Sequence, residues 1–215
     1  MPSATRAERS LETRRRMVAA AYRLFCENGY LGTTMTAVAA EANVAVQTLY
    51  YTFHTKAQLF GEAVGAAVVG FDEWHQPSPE PIAIDDLAQM LTWWDEFESA
   101  PDSAGALNVF VHQGVDVLER VAPLVAALHG SAGDPDVVPV LLLGEERRVG
   151  SYRAVVRTIA AKQGGLRRGL TIPEATDVLL VLFSAELYQA LASGRGWPRA
   201  RCERFFSELL ATQLL

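Results

Sequence analysis

Cysteine is scarce. The 215-residue chain has two, Cys26 and Cys202, near its opposite ends. That count leaves no disulfide framework and no paired-cysteine metal motif, and it reads as two reduced thiols packed in helices. The expected compartment is the cytoplasm. Long hydrophobic runs are missing as well: none approaches the ~18 residues that a bilayer crossing needs, so no membrane partner is expected. The opening MPSATRAERSLETRRRM is polar and charged and has no apolar centre of a signal peptide. There is no glycine-rich phosphate loop, nucleophile elbow or H-E-x-x-H pair, and His54, His75, His112 and His129 are scattered. The expectation is therefore no enzyme, no metal site and no cofactor.

What is present points to helices. Half of the residues are apolar and 20% are charged, as in a soluble globular protein with room for one sizeable core or two small domains. Period-two alternation is rare, whereas Ala, Leu, Glu and Arg abound. The spacing predicts helices over about 11–27, 34–42, 46–51, from 56 onward, 85–99, 101–118, 119–128, 138–163, 173–193 and 199–214. Asn28-Gly29 and Gly164-Gly165 are helix stops, and the prolines of HQPSPEP break the chain at 75–81. Charge is segregated. Residues 1–60 hold seven basic and four acidic residues, and the remainder holds twelve basic and twenty-one acidic. A basic head on an acidic body, within a net charge of -6, is the footprint of a DNA binder whose second part does something else.

The densest information lies in residues 33–56, TTMTAVAAEANVAVQTLYYTFHTK. Val38, Ala39 and Ala42 fall at helical spacing on one short helix, and Leu49 and Phe53 on the next. Asn43 between them tolerates a left-handed corner, which makes a helix-turn-helix. Gln47, Thr48, Tyr50 and Tyr51 are left on the outer face of the second helix, where amide, hydroxyl and phenol groups reach base edges and phosphates.

This segment, with Gly29-Tyr30, Thr33-Thr34, Val38-Ala39, Val44, Thr48-Leu49-Tyr50 and Phe53-His54-Thr55-Lys56, resembles the DNA-binding region of TetR-family transcriptional regulators. The likeness covers about the first quarter of the chain. Asn43 stands where the family's turn glycine is usual. Ala45 replaces the common capping serine, a change costing about 1 kcal/mol, and Thr52 replaces a frequent aromatic or histidine.

The resemblance implies an all-α fold: a three-helix head over residues 1–56 and a helical effector-binding and dimerisation body over 57–215. It implies a ligand-responsive regulator, a repressor by expectation, acting as a homodimer on a palindromic double-stranded operator. Thr48, Tyr50 and His54 match positions that contact DNA in the family. Gln47 suits bidentate reading of adenine, and Tyr51 suits sugar–phosphate or a thymine methyl. Lys56, with Thr34 or Thr36, is expected at phosphates, and Arg14, Arg15 and Arg16, with Arg6 and Arg9, are candidates for backbone or minor-groove contact.

In the body, Trp93, Trp94, Phe97, Phe110, His112 and Tyr152 are candidates for the wall of a small-molecule pocket. Adjacent Trp93 and Trp94 cannot share a helix face, so one of them at most should face a given cavity. The run from Val178 to Phe183 is apolar all round and calls for a partner on one side. Val178, Leu179, Leu182, Phe183, Leu187, Phe205, Phe206 and Leu209 are the expected dimer surface, built as a four-helix bundle. A helical protein-interaction module without specific DNA binding is the alternative, with an enzyme further behind.

Overall fold

The structure, a computed structural model, describes residues 5–72, 74, 91–128, 131 and 134–215. Among these residues there are ten helices and no strand. They are α1 (Arg6–Gly32), α2 (Met35–Glu41), α3 (Val46–Phe53), α4 (Lys56–Val69), α5 (Trp94–Ser99), α6 (Ser103–Ala127), α7 (Val138–Ala161), α8 (Ile172–Leu182), α9 (Ala185–Arg195) and α10 (Arg199–Leu214). The chain divides into two compact units, residues 1–79 with 123–143, and residues 80–122 with 144–215. The expected helix start at 85 and His75 and His129 lie outside the described residues.

In the first unit, α1 begins five residues before its expected start because Thr5 and Glu8 form a capping box. The Glu8 N–H donates to the Thr5 hydroxyl at 3.2 Å and the Thr5 N–H to the Glu8 carboxylate at 2.6 Å. Gly29 breaks the regular helix at φ 72°. There Tyr30 swings inward, stacking on Phe25 with ring centroids 5.8 Å apart and meeting Phe60 edge-on at 5.6 Å. Thr34 caps α2 through the Ala37 N–H, and Thr55 caps α4 through the Gln58 N–H, both at 3.1 Å. The core is Met17, Val18, Ala21, Phe25, Val38, Leu49, Phe53, Leu59, Phe60 and Ala63. Each large side chain buried there contributes about 1.5–3 kcal/mol. Val68 of α4 is 37% exposed.

In the second unit, Asp102 caps α6 by accepting the Gly105 N–H at 2.7 Å. Across the chain, α6 is one helix, not the two expected to divide near Glu119. Pro123 removes one backbone donor, but Leu118, Ala122 and Leu124 are buried around it and hold the helix together.

The expected helix over 173–193 is divided at Phe183, whose φ of −113° and ψ of 67° end α8. Three interactions stabilise the break. Ser184 caps α9 through the Leu187 N–H at 3.2 Å. The Tyr152 hydroxyl donates to the Phe183 carbonyl at 2.7 Å, and Arg148 donates to the Leu180 carbonyl at 2.9 Å. The cap satisfies an N–H, and the other two satisfy carbonyls, that helix ends leave open. Taken as one stretch, Ile172–Arg195 is long and apolar enough to cross a bilayer, unlike the expectation from apolar runs. In the structure it is two helices, with Ala175, Leu179 and Phe183 in the core.

Gly114 faces Phe183 so closely that an added Cβ would lie 2.6 Å from the ring. Gly114→Ala should therefore destabilise the protein by about 1–3 kcal/mol through overpacking. A denaturant titration showing no loss would contradict this packing.

Candidate nucleic-acid interface

Helix α3 is only eight residues long and has no side-chain cap, because Ala45 offers no oxygen. It is held by burial. Leu49 is 0% and Phe53 2% exposed, and the Arg14 guanidinium lies 4.9 Å from the Phe53 ring centroid. Arg14 in turn forms a two-pronged ion pair with Glu62 on α4. The turn before α3 depends on Asn43 at φ 53°. The Asn43 N–H reaches the Ala40 carbonyl at 3.1 Å and the Val44 N–H reaches that of Ala39 at 2.9 Å. These bonds close α2 with a left-handed corner.

With Leu49 and Phe53 turned inward, the opposite face carries Gln47, Thr48, Tyr50 and Tyr51, all exposed. Tyr50 is 50% and Tyr51 85% exposed, unusual for large aromatic rings. Thr34 and Thr36 are exposed at the start of α2. His54 follows α3 with φ 59° and ψ −51°. The Thr55 N–H reaches the Phe53 carbonyl at 2.6 Å, so His54 is the centre of a strained three-residue turn. A non-glycine residue there stores about 1–3 kcal/mol.

The basic residues divide by environment. Arg16 is exposed, as are Arg6 and Arg9. Arg14 is engaged as described. Arg15 donates to the carbonyls of Trp74 at 3.1 Å and Asp72 at 3.3 Å. The Lys56 ammonium donates to the carbonyls of Tyr30 at 2.8 Å and Thr33 at 3.1 Å, and sits 4.2 Å from the Tyr30 ring centroid. Burial lowers its pKa, against the pull of Asp134. Arg14, Arg15 and Lys56, expected at phosphates, are in this structure tied to the head itself. Glu62, which fixes Arg14, was not singled out from the sequence, since no pattern links positions 48 residues apart.

The expected pocket residues fall into two groups. Trp93, Trp94, Phe97, Phe110 and Tyr152 form one aromatic cluster with Phe183. Both tryptophans contact Phe97, which stands four residues after Trp93 and three after Trp94, the spacings that meet on a helix. Burial pushes the Tyr152 phenol far up in pKa. His112 is not in the cluster. It is exposed, and its Nδ1 lies 2.7 Å from Glu203, beside Arg199, which pairs with Asp116 and Glu203.

The expected dimer residues divide too. Leu179, Phe183 and Phe206 are at most 1% exposed and belong to the core of the unit. Val178, Leu182, Leu187, Phe205 and Leu209 are half-buried. Val181, not singled out, is 69% exposed. It lies three residues from Val178, a spacing that would have marked it.

Residues 17–63 match the family model described as bacterial regulatory proteins, tetR family. No curated protein matches the chain. Solved structures resemble it over nearly its whole length. NalD of Pseudomonas aeruginosa, the secondary repressor of the MexAB-OprM multidrug efflux pump, is 17% identical with a TM-score of 0.64, over 95% of this chain and 96% of that one. FadR of Bacillus subtilis, in complex with stearoyl-CoA, is 14% identical with a TM-score of 0.67, over 91% and 96%. PfmR of Thermus thermophilus, a TetR-family regulator, is 16% identical with a TM-score of 0.58, over 93% and 99%. A helix-turn-helix with this exposed polar and aromatic face defines a DNA-binding transcriptional regulator. Residues 17–63 carry the DNA-binding head that the tetR-family model describes.

His54→Gly should relieve the strained turn, less the entropic cost of glycine, for a net gain of about 1 kcal/mol. That is a rise in melting temperature of roughly 2–4 °C for a chain of this size. An unchanged or lower melting temperature would show that the turn stores no strain.

Proposed function

We propose that the protein is a cytoplasmic, ligand-responsive repressor that binds a palindromic operator as a homodimer. The observation that carries this reading is the outward face of α3, where two large phenol rings stand in solvent beside Gln47 and Thr48. Burying those rings against DNA removes a cost that the free head bears. Gln47 reads an adenine, Thr48 and Tyr50 contact DNA, Tyr51 lies against sugar–phosphate or a thymine methyl, and His54 meets the backbone beyond the helix. Thr34 and Thr36 meet phosphate at the start of α2, and the exposed Arg16, with Arg6 and Arg9, supplies the unspent positive charge.

One helix of eight residues spans few base pairs. Two related by a two-fold axis enter successive major grooves ~34–36 Å apart. The dimer surface is the outer side of α8 and α10, with Val178, Val181, Leu182, Phe205 and Leu209, and with Leu187 of α9 at its edge. The head is residues 1–56, and the body, residues 57–215, binds the effector. NalD as a repressor and FadR in complex with stearoyl-CoA support a repressor whose body binds an effector. A ligand preferring the DNA-incompetent state by ~2–3 kcal/mol would lower operator affinity about 30–150-fold.

Selection of bound fragments from genomic DNA by the purified protein tests the reading and should return a two-fold-symmetric site. Recovery of no specific sequence would overturn it in favour of an interaction module. Gln47→Ala should weaken binding to that site far more than binding to random DNA, and equal losses would remove its base-reading role. Lys56→Met should lower stability and operator affinity while leaving the salt slope unchanged. A slope reduced by about 0.9 would return Lys56 to the phosphate contacts. Val181→Glu should give a monomer of 23.4 kDa by light scattering, and a persisting dimer would move the interface elsewhere.

A further inference from the structure

The aromatic cluster of the second unit holds a polar atom with nothing to bond. Trp94 is 6% exposed, and its indole nitrogen is fully buried without a hydrogen-bond acceptor. Buried donors are almost always paired, and an unpaired one opposes folding. Phenylalanine at this position would fill the core without that penalty.

Two other donors beside the cluster, Tyr152 and Arg148, are spent. The Tyr152 hydroxyl donates to the Phe183 carbonyl at 2.7 Å. Arg148, whose guanidinium lies 5.8 Å from the Tyr152 ring centroid, donates to Glu145 at 3.0 Å and to the Leu180 carbonyl at 2.9 Å. Trp94 is thus a buried and uncommitted donor, ringed by faces and edges. Its ring centroid is 5.0 Å from that of Phe97 and 6.1 Å from that of Trp93, which is itself 6.3 Å from that of Phe110.

We propose that Trp94 is the polar anchor of an effector subsite that takes an uncharged aromatic molecule bearing one hydrogen-bond acceptor, such as a ketone oxygen. The acceptor meets the Trp94 N–H, and the ring of the ligand lies among Trp93, Phe97 and Phe110 in the offset or edge-on contacts that aromatic groups favour. A cation would face the positive edge of the indole, and an anion would find the Arg148 guanidinium already committed, so a neutral ligand fits best. The rings touch one another, so entry requires them to part. Helix α5 has six residues and no side-chain cap, and the half-buried Trp93 at its start moves at little cost. The inference rests on the ligand-responsive reading of the body given above.

Acetophenone and ethylbenzene test it, being alike in shape and differing in the carbonyl. The full-length protein labelled with 15N has four tryptophans, and the indole signal of Trp94 is the one lost in Trp94→Phe. In the native protein, acetophenone should move that signal downfield and bind about tenfold more tightly than ethylbenzene, the worth of one hydrogen bond. In Trp94→Phe the ratio should fall to about one. Equal binding of the two compounds, a preference that survives Trp94→Phe, or no binding of acetophenone at millimolar concentration would each overturn the subsite. The same titrations on protein bound to its operator separate this claim from the wider one. Selective binding at Trp94 without release of DNA would uphold the subsite and refute effector coupling. Release of DNA by another compound, with the Trp94 signal unmoved by acetophenone, would do the reverse.

Discussion

A helix of eight residues is not stable alone in water, and α3 has no side-chain cap to help it. It exists because Leu49 and Phe53 are driven into a core built from Phe25, Tyr30 and Phe60. That anchoring does two things at once. It fixes the helix by one face, and it leaves the other face to groups that water tolerates poorly, Tyr50 and Tyr51. The proposed encounter with DNA depends on this division, since a helix fixed by any other stripe would present different side chains.

The cations of the head follow from the same constraint. A short helix must be pinned from outside, which Arg14 does, while Lys56 and Arg15 tie α4 and the residues after it to α1. Arg14 covers Phe53 and pairs with Glu62, Lys56 gathers the carbonyls of Tyr30 and Thr33, and Arg15 those of Trp74 and Asp72. Charge that looked available for phosphate is thereby spent on the frame. What remains exposed is the charge of Arg6, Arg9 and Arg16 in the first part of α1. The body repeats the pattern at the α8–α9 break, where Arg148 and Tyr152 hold carbonyls that the divided helix leaves open.

Much of the architecture was legible because it is local. The buried stripes of α2 and α3 and the left-handed Asn43 each arise from residues within a turn or two of one another. The misplaced features are those that distant residues decide. Pro123 stays inside α6 because the helix is packed around it, and Phe183 divides α8 from α9 because α7 supplies donors there. His112 is the local exception: two residues after Phe110 on α6, it faces away from the cluster and meets Glu203.

The sequence by itself determined the helical class, the helix-turn-helix and the identity of its outer face, since periodicity and turn chemistry act over a few residues. Which arginines are free, which leucines on α8 are core and which are surface, and which polar atom among the aromatic rings lacks a partner were decided by tertiary structure alone. Those properties belong to the neighbours a side chain meets, and neighbours far apart in the chain are chosen only when it folds.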